Sequence, residues 1–171
     1  MTKNADQTDL TTQPTEADLE MMTRALTLAQ QGADRGEVPV GAVVYETQTG
    51  TILGEGTNTR EFDKNPSGHA EFTAIVSACK AINDWRLNDC TLVVTLEPCA
   101  MCSGLIVNAR LGRVVYGADD PKAGAVRTLY QLCDDSRLNH RSAIVPHVMA
   151  PESSALLKSF FKRLRDTQSK P

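Results

Sequence analysis

Cys99 and Cys102 stand three apart behind Pro98 in the stretch LEPCAMC, and 30 residues before Cys99 the stretch GHAE places His69 two residues ahead of Glu71. These side chains can bind a metal or move protons. C-x-x-C alone serves three chemistries equally: a thioredoxin-like redox pair, half of a structural zinc site, or the cysteine part of a catalytic one. A structural site needs four protein ligands, and the remaining cysteines (Cys79, Cys90, Cys133) are scattered singly, with no second C-x-x-C and no paired H-x₃-H. That disfavours structural zinc. One histidine and two cysteines make a three-ligand set that leaves a fourth position for water, the arrangement of catalytic zinc. Zinc lowers the pKa of that water to ~7, and Glu71, not needed as a ligand, is then free to move protons. His140 and His147 have no carboxylate or cysteine at a useful spacing and read as ordinary histidines.

The elements around these residues must bring them together. Thr15 followed by Asp18 reads as a helix cap, with Leu19, Met22, Leu26 and Ala29 recurring at helical spacing toward Gly36. VGAVVY and TILGEG read as two strands around a polar turn, and HAEFTAIVSACKAIN as a helix with Ala70, Ala74, Ile75, Ala78 and Ile82 on its buried face. In a regular helix His69 and Glu71 diverge by about 200°, so they converge only if His69 is a cap residue with non-helical backbone, which the preceding NPSG favours. TLVVTL is a strand, and Pro98 suits the first position of the next helix. There Cys99 and Cys102, at i and i+3, project to one side, and a helix N-terminus favours thiolate. RVVYG is a further strand, Cys133 falls in a late helix, and AIVPHVM is an edge strand because Pro146 cannot donate to a ladder. PESSALLKSFFKRLR closes the chain as an amphipathic helix, with Leu157, Phe161 and Leu164 as its anchoring stripe. Strands alternating with helices imply a layered α/β domain.

Composition bounds the rest. The chain has 171 residues, enough for one domain with a real core. Residues 1–15 are polar and read as a flexible tail, 16–165 as a single domain and 166–171 as a short terminal tail. An odd number of cysteines, five, and no apolar signal core argue against a disulfide framework and for a reducing cytoplasm. No apolar run approaches the ~20 residues of a membrane helix. The net charge of −3 excludes a global nucleic-acid signature, so any basic surface is local. One exists: from Lys158 to Lys170 the chain carries Lys158, Lys162, Arg163, Arg165 and Lys170 against Asp166 alone.

H-x-E followed by P-C-x-x-C is the signature of the zinc nucleobase deaminases. The wider text, EVPVGAVV, NTRE, HAE, DWRLNDCTLVVTLEPCAMCSGLIVNARLGRVVYGADDPKAG, LNHR and LLKSFFKRLR, resembles the bacterial tRNA-specific adenosine deaminases over roughly residues 18 to 165. That resemblance implies a three-layer α/β/α cytidine-deaminase-like sandwich with a mixed sheet of about five strands. It further implies a homodimer with each active site near the subunit boundary. The implied reaction is deamination of the wobble adenosine in the anticodon loop of an arginine tRNA to inosine. By the same resemblance His69, Cys99 and Cys102 hold one zinc per chain, Glu71 is the proton shuttle and Asn58 binds the target nucleotide. Asp120 and Lys122 then lie on the loop lining the anticodon path, and Phe161, Lys162 and Arg165 on the helix beside the RNA.

Two positions depart from the family's pattern: Thr57 stands where a bulkier residue often precedes the asparagine, and Arg127 where a small residue is usual. Both bear on loop shape and leave the metal chemistry alone. A deaminase of free cytosine, guanine or a nucleoside would use the same four catalytic residues, so GADDPK and the basic terminus carry the distinction. A thioredoxin-like redox module remains the rival from outside the deaminases, and metal content separates it.

Overall fold

The computed structural model describes residues 12–168; residues 1–11 of the polar stretch, and residues 169–171 with Lys170 among them, lie outside the described residues. Helix α1 (Glu16–Asp34) begins at the expected cap. Thr15 is extended, its hydroxyl accepts from the Asp18 N–H, and the Asp18 carboxylate accepts from the Thr15 N–H at 2.7 Å. The buried stripe is Met21, Met22, Ala25, Leu28 and Ala29, rotated from the one read off Leu19 and Leu26, and Leu19 is exposed.

The strands are β1 (Gly41–Glu46), β2 (Ile52–Thr57), β3 (Cys90–Leu96), β4 (Arg113–Ala118) and β5 (Ala143–Val145), in the order β2-β1-β3-β4-β5. β1 pairs antiparallel with β2 and β3, whereas β3–β4 and β4–β5 are parallel, so the five-stranded sheet is mixed as expected. β5 forms the edge and stops before Pro146. Alternation divides the core into two layers. Val43, Tyr45, Val93 and Val115 face Met21, Met22, Ala25 and Leu28 of α1. Ala42, Val44, Leu92, Val94, Val114 and Tyr116 face the other side, against Ala74, Ile75 and Ala78 of α3 (Ala70–Ile82) and Ile106 of α4 (Ala100–Asn108). Helix α5 (Ala150–Gln168) packs on the α1 side against β4, which completes a three-layer α/β/α arrangement.

Further details differ from the sequence reading, Ile82 among them: expected on the buried face of α3, it is 38% exposed. A short helix, α2 (Arg60–Asp63), follows β2. Helix α4 starts at Ala100 with Cys99 as its cap, so Pro98 precedes the cap instead of opening the helix. Cys133 lies in a turn, fully buried, because turns rather than a helix join β4 to β5. Helix α5 continues past residue 165 to Gln168; Phe160 is its buried aromatic, while Phe161 and Leu164 of the expected anchoring stripe are 41% and 43% exposed. No helix among the described residues is long and apolar enough to cross a membrane.

Side-chain-free contact sets the spacing of one layer. A Cβ at Gly56 would fall 2.1 Å from the Ala70 carbonyl oxygen, and one at Gly54 would fall 2.2 Å from that of Ala74. Helix α3 therefore rests on the β2 backbone itself.

A buried ion pair ties α1 to β4. Arg113 donates from Nη1 to Asp18 Oδ1 at 2.5 Å and from Nη2 to Oδ2 at 2.6 Å, and the Tyr45 hydroxyl donates to Oδ1 at 2.7 Å. Burial alone would raise the Asp18 carboxyl, but Arg113, the Thr15 N–H and Tyr45 outweigh it and hold it below its ordinary value. A depressed folded value means that the contribution is present above about pH 4 and is lost as pH falls through the folded value. Asp18→Ala strips Arg113 of this carboxylate where both side chains are at most 1% exposed. It is expected to cost about 3–5 kcal/mol, read as a lower urea midpoint at pH 7, with the gap to the parent narrowing as pH falls below the ordinary carboxylate range.

Candidate metal centre and active site

Two helix N-termini meet above the sheet. His69 caps α3 with extended backbone (φ −91°, ψ 147°), and Cys99 caps α4 in the same way (φ −74°, ψ 175°). The non-helical cap expected of His69 is what lets it and Glu71, in the first turn of α3, serve one site. The turn before it is closed by Gly68 N–H to the Asn65 carbonyl at 3.0 Å and His69 N–H to the Ser67 carbonyl at 2.7 Å. Cys102, one turn into α4, is fully buried behind Cys99.

His69 Nδ1 lies 3.6 Å from the Cys99 sulfur and 3.6 Å from that of Cys102, and all three donor atoms lie within 4.8 Å of one another. Tetrahedral zinc with ordinary bond lengths sets nitrogen and sulfur ligands about 3.5 Å apart. The trio fits such an ion, and among the described residues it is the one cluster of this kind. The electrostatics agree with a cation site. A hydrogen bond from Cys102, helped by His69, lowers the Cys99 thiol to about 3, while the same hydrogen bond and burial push Cys102 up. Bonding to Cys99 raises His69. The positive ends of α3 and α4 favour thiolate at the same place.

Glu71 is 4% exposed, and burial pushes its carboxyl up to about 7. It lines a cavity of about 190 Å³ together with His69, Cys99, Asn58, Arg60, Glu97 and Asp120, with Val38, Val40 and Leu96 as apolar walls. That is room for one base-sized group, not for a stacked pair. Asn58, just past β2, is buried and donates from Nδ2 to Glu37 Oε2 at 3.3 Å. Asp120 lines the cavity, but its carboxylate also accepts from the Lys122 and Ala123 N–H groups at 2.9 and 3.2 Å, so it shapes its own turn. Lys122 is exposed outside the cavity; Phe161, Lys162 and Arg165 lie on α5 and do not line it.

The departures noted in the sequence resolve locally. Arg127 is exposed, and only its backbone N–H turns inward, to Glu97 at 2.8 Å. Thr57 fits between β2 and α1: a Cβ at Gly32 would reach its hydroxyl oxygen at 2.5 Å.

Sequence reasoning missed two buried carboxylates, Glu37 and Glu97, each 2% exposed. Glu37 accepts from Asn58 and from the Phe62 N–H at 2.7 Å, and so holds α2 to the end of β2. The available signal was a lone acid directly beside an apolar strand, as in TLEPC.

Residues 16–165 match the family model of the MafB19-like deaminases. The chain is 42% identical to the tRNA-specific adenosine deaminase of Bacillus subtilis (strain 168), over 84% of this chain and 88% of that one. It is 41% identical to the tRNA-specific adenosine deaminase of Haemophilus influenzae, over 88% of this chain and 87% of the other. Among solved structures it is similar to a chain from a study of A-to-I editing by tRNA:A34 deaminases at the wobble position of transfer RNA. The identity there is 35%, with a TM-score of 0.76 over 81% of this chain and 99% of that chain.

Proposed function

The chain belongs to the MafB19-like deaminase family, among the tRNA-specific adenosine deaminases, and from that premise we infer that it hydrolyses adenosine to inosine in tRNA, releasing ammonia. One observation carries the chemistry: two members of a three-donor metal set, His69 and Cys99, and a buried carboxyl that is not part of it line one cavity of base size.

His69, Cys99 and Cys102 hold the ion, one per chain, and the ion is zinc by the two-thiolate, one-imidazole donor set. Zinc, when bound there, supplies a water of lowered pKa as nucleophile. Glu71 would take one proton from the attacking water and deliver it to N1 of the ring, then take the second from the hydroxyl now on C6 and pass it to the amino group, which leaves as ammonia. Asn58 offers both a donor and an acceptor and orients the nucleotide. The cavity admits a base only when it is unstacked, which supports an anticodon loop as substrate. The wobble position of an arginine tRNA is the specific target of this reading.

Residues 16–165 form the deaminase domain, a reading supported by the one sheet that all five strands share. The working form is a homodimer, supported by an apolar groove of about 590 Å³ on the outer side of α3 and α4, where Trp85 is half exposed. Incubation with total tRNA followed by sequencing tests the function. A-to-I change confined to an anticodon wobble position is the expected result. Unchanged tRNA, with ammonia released from a free base instead, would move the protein to the free-base deaminases.

Helix α5 supplies the phosphate contacts in this reading. Lys158, Lys162, Arg163 and Arg165 are all exposed on it, opposed by Asp166, and Phe161 and Lys122 border the RNA. Combining Lys162→Ala with Arg165→Ala is expected to weaken tRNA binding and to reduce the log–log salt slope by roughly one to two units. Metal content and melting temperature stay at the parent's values. Affinities over a salt series measure this, and identical slopes would make the helix a solvated face only.

A further inference from the structure

Three successive backbone N–H groups, of Val126, Arg127 and Thr128, converge on Glu97 Oε1 at 3.1, 2.8 and 2.9 Å. Successive N–H groups turned to one point form an anion-binding concavity, and here the anion is the chain's own carboxylate. Glu97 Oε2 accepts from the Asp120 N–H at 3.0 Å and from the Thr128 hydroxyl. One buried side chain thus receives five donors from a single loop, residues 119–128. That loop fits tightly: a Cβ at Gly124 would fall 2.2 Å from Oε2. Its neighbour Ala125 donates to the Pro98 carbonyl at 2.9 Å, in the turn that presents Cys99. The loop's Asp120 and Ala123 form one wall of the cavity that holds Glu71 and Asn58.

We propose that Glu97 is a positioning residue of the deaminase: it folds loop 119–128 around its own carboxylate and so sets the cavity wall against which the RNA nucleotide is held. The proposal rests on the deaminase reading above. A carboxylate is acceptor-only and can satisfy five donors; glutamine has one oxygen and an NH₂ group, which would face donors. Alanine leaves the concavity intact in sequence but without its anion, so a small carboxylate added from solution should refill it.

The experiment uses the full chain with its metal, an anticodon stem-loop RNA as substrate, and sodium formate as the probe, with sodium chloride at equal ionic strength as control. Glu97→Ala is expected to keep its metal and to lose ~10–100-fold in kcat/KM, mostly in KM, as for a wall displaced by about 1 Å. Formate should restore activity several-fold in Glu97→Ala and leave the parent and Glu97→Gln unchanged. A metal-loaded Glu97→Ala with full kcat/KM, or with a loss that formate does not relieve, overturns the proposal. Should the alanine variant not fold, amide hydrogen exchange of Glu97→Gln decides. Faster exchange confined to residues 120 and 126–128 supports it, and parent-like protection overturns it. Exchange is read without substrate, so this arm judges the loop separately from the reaction: a parent enzyme inactive on all RNA would defeat the deaminase reading instead.

Discussion

Glu71→Ala is expected to retain one metal per chain and the parent's melting temperature while its deamination rate falls by ~10²–10⁴-fold or more. The argument is positional. Glu71 stands in the first turn of α3, 4% exposed, beside the three-donor cluster but outside it. One carboxyl there would serve several proton transfers in succession, so its loss removes more than a single general acid–base step. Fold and metal should survive because the ligands are fixed by other residues, and because burying a carboxyl is a cost that alanine removes. A melting temperature slightly above the parent's would fit the same account. Single-turnover inosine formation, alongside elemental analysis, measures both halves. A metal-loaded Glu71→Ala enzyme that turns over near normally would assign the proton shuttle to another group.

Loss of metal is the second large effect. His69→Ala, Cys99→Ala and Cys102→Ala each leave two donors from a set whose separations match a tetrahedral ion. The expected drop in metal affinity exceeds the ~10–100-fold that losing a supporting partner costs, and deamination falls below detection in all three. Cys102 is fully buried and does not line the cavity, and its side chain also hydrogen-bonds Glu71, so zinc content and not activity alone decides the Cys102→Ala variant. Elemental analysis of the purified variants is the measurement. Undiminished zinc in all three would remove the metal-centre reading, and a parent protein that carries no metal would revive the redox pair.

The His69–Cys99–Cys102 cluster was legible because each half carries a local signal, a cap after NPSG and a shared helix start, and the H-x-E and P-C-x-x-C pattern joins the halves across 30 residues. The strands were legible for a similar reason, and Pro146 alone marked β5 as an edge. The two buried glutamates were not, because their partners lie 21 to 31 residues away in sequence. The error at Cys133 has another root. Ala125, Val126, Leu129, Leu132 and Cys133 recur at helical spacing, yet the Leu129 and Leu132 N–H groups bond to the carbonyls of Gly124 and Ala125, five and seven residues back, and not to those four back. Helix α5 shows a different limit. Leu156, Leu157, Phe160, Phe161 and Leu164 form an apolar arc wide enough to seat in either of two rotations, and packing chose Phe160.

The seating of α3 on Gly54 and Gly56 makes the distance between the catalytic helix and β2 a main-chain dimension, with no side chain between them to swap rotamers. Asn58 leaves the same strand, so the gap between the group that would hold the nucleotide and the helix that would transform it does not vary with repacking of the core. Substrate range is then free to diverge over generations through residues 59–67 and 119–128, which contact the cavity from outside this spacing. Substitution at either glycine is the change such divergence must avoid, since it would move recognition and reactivity together.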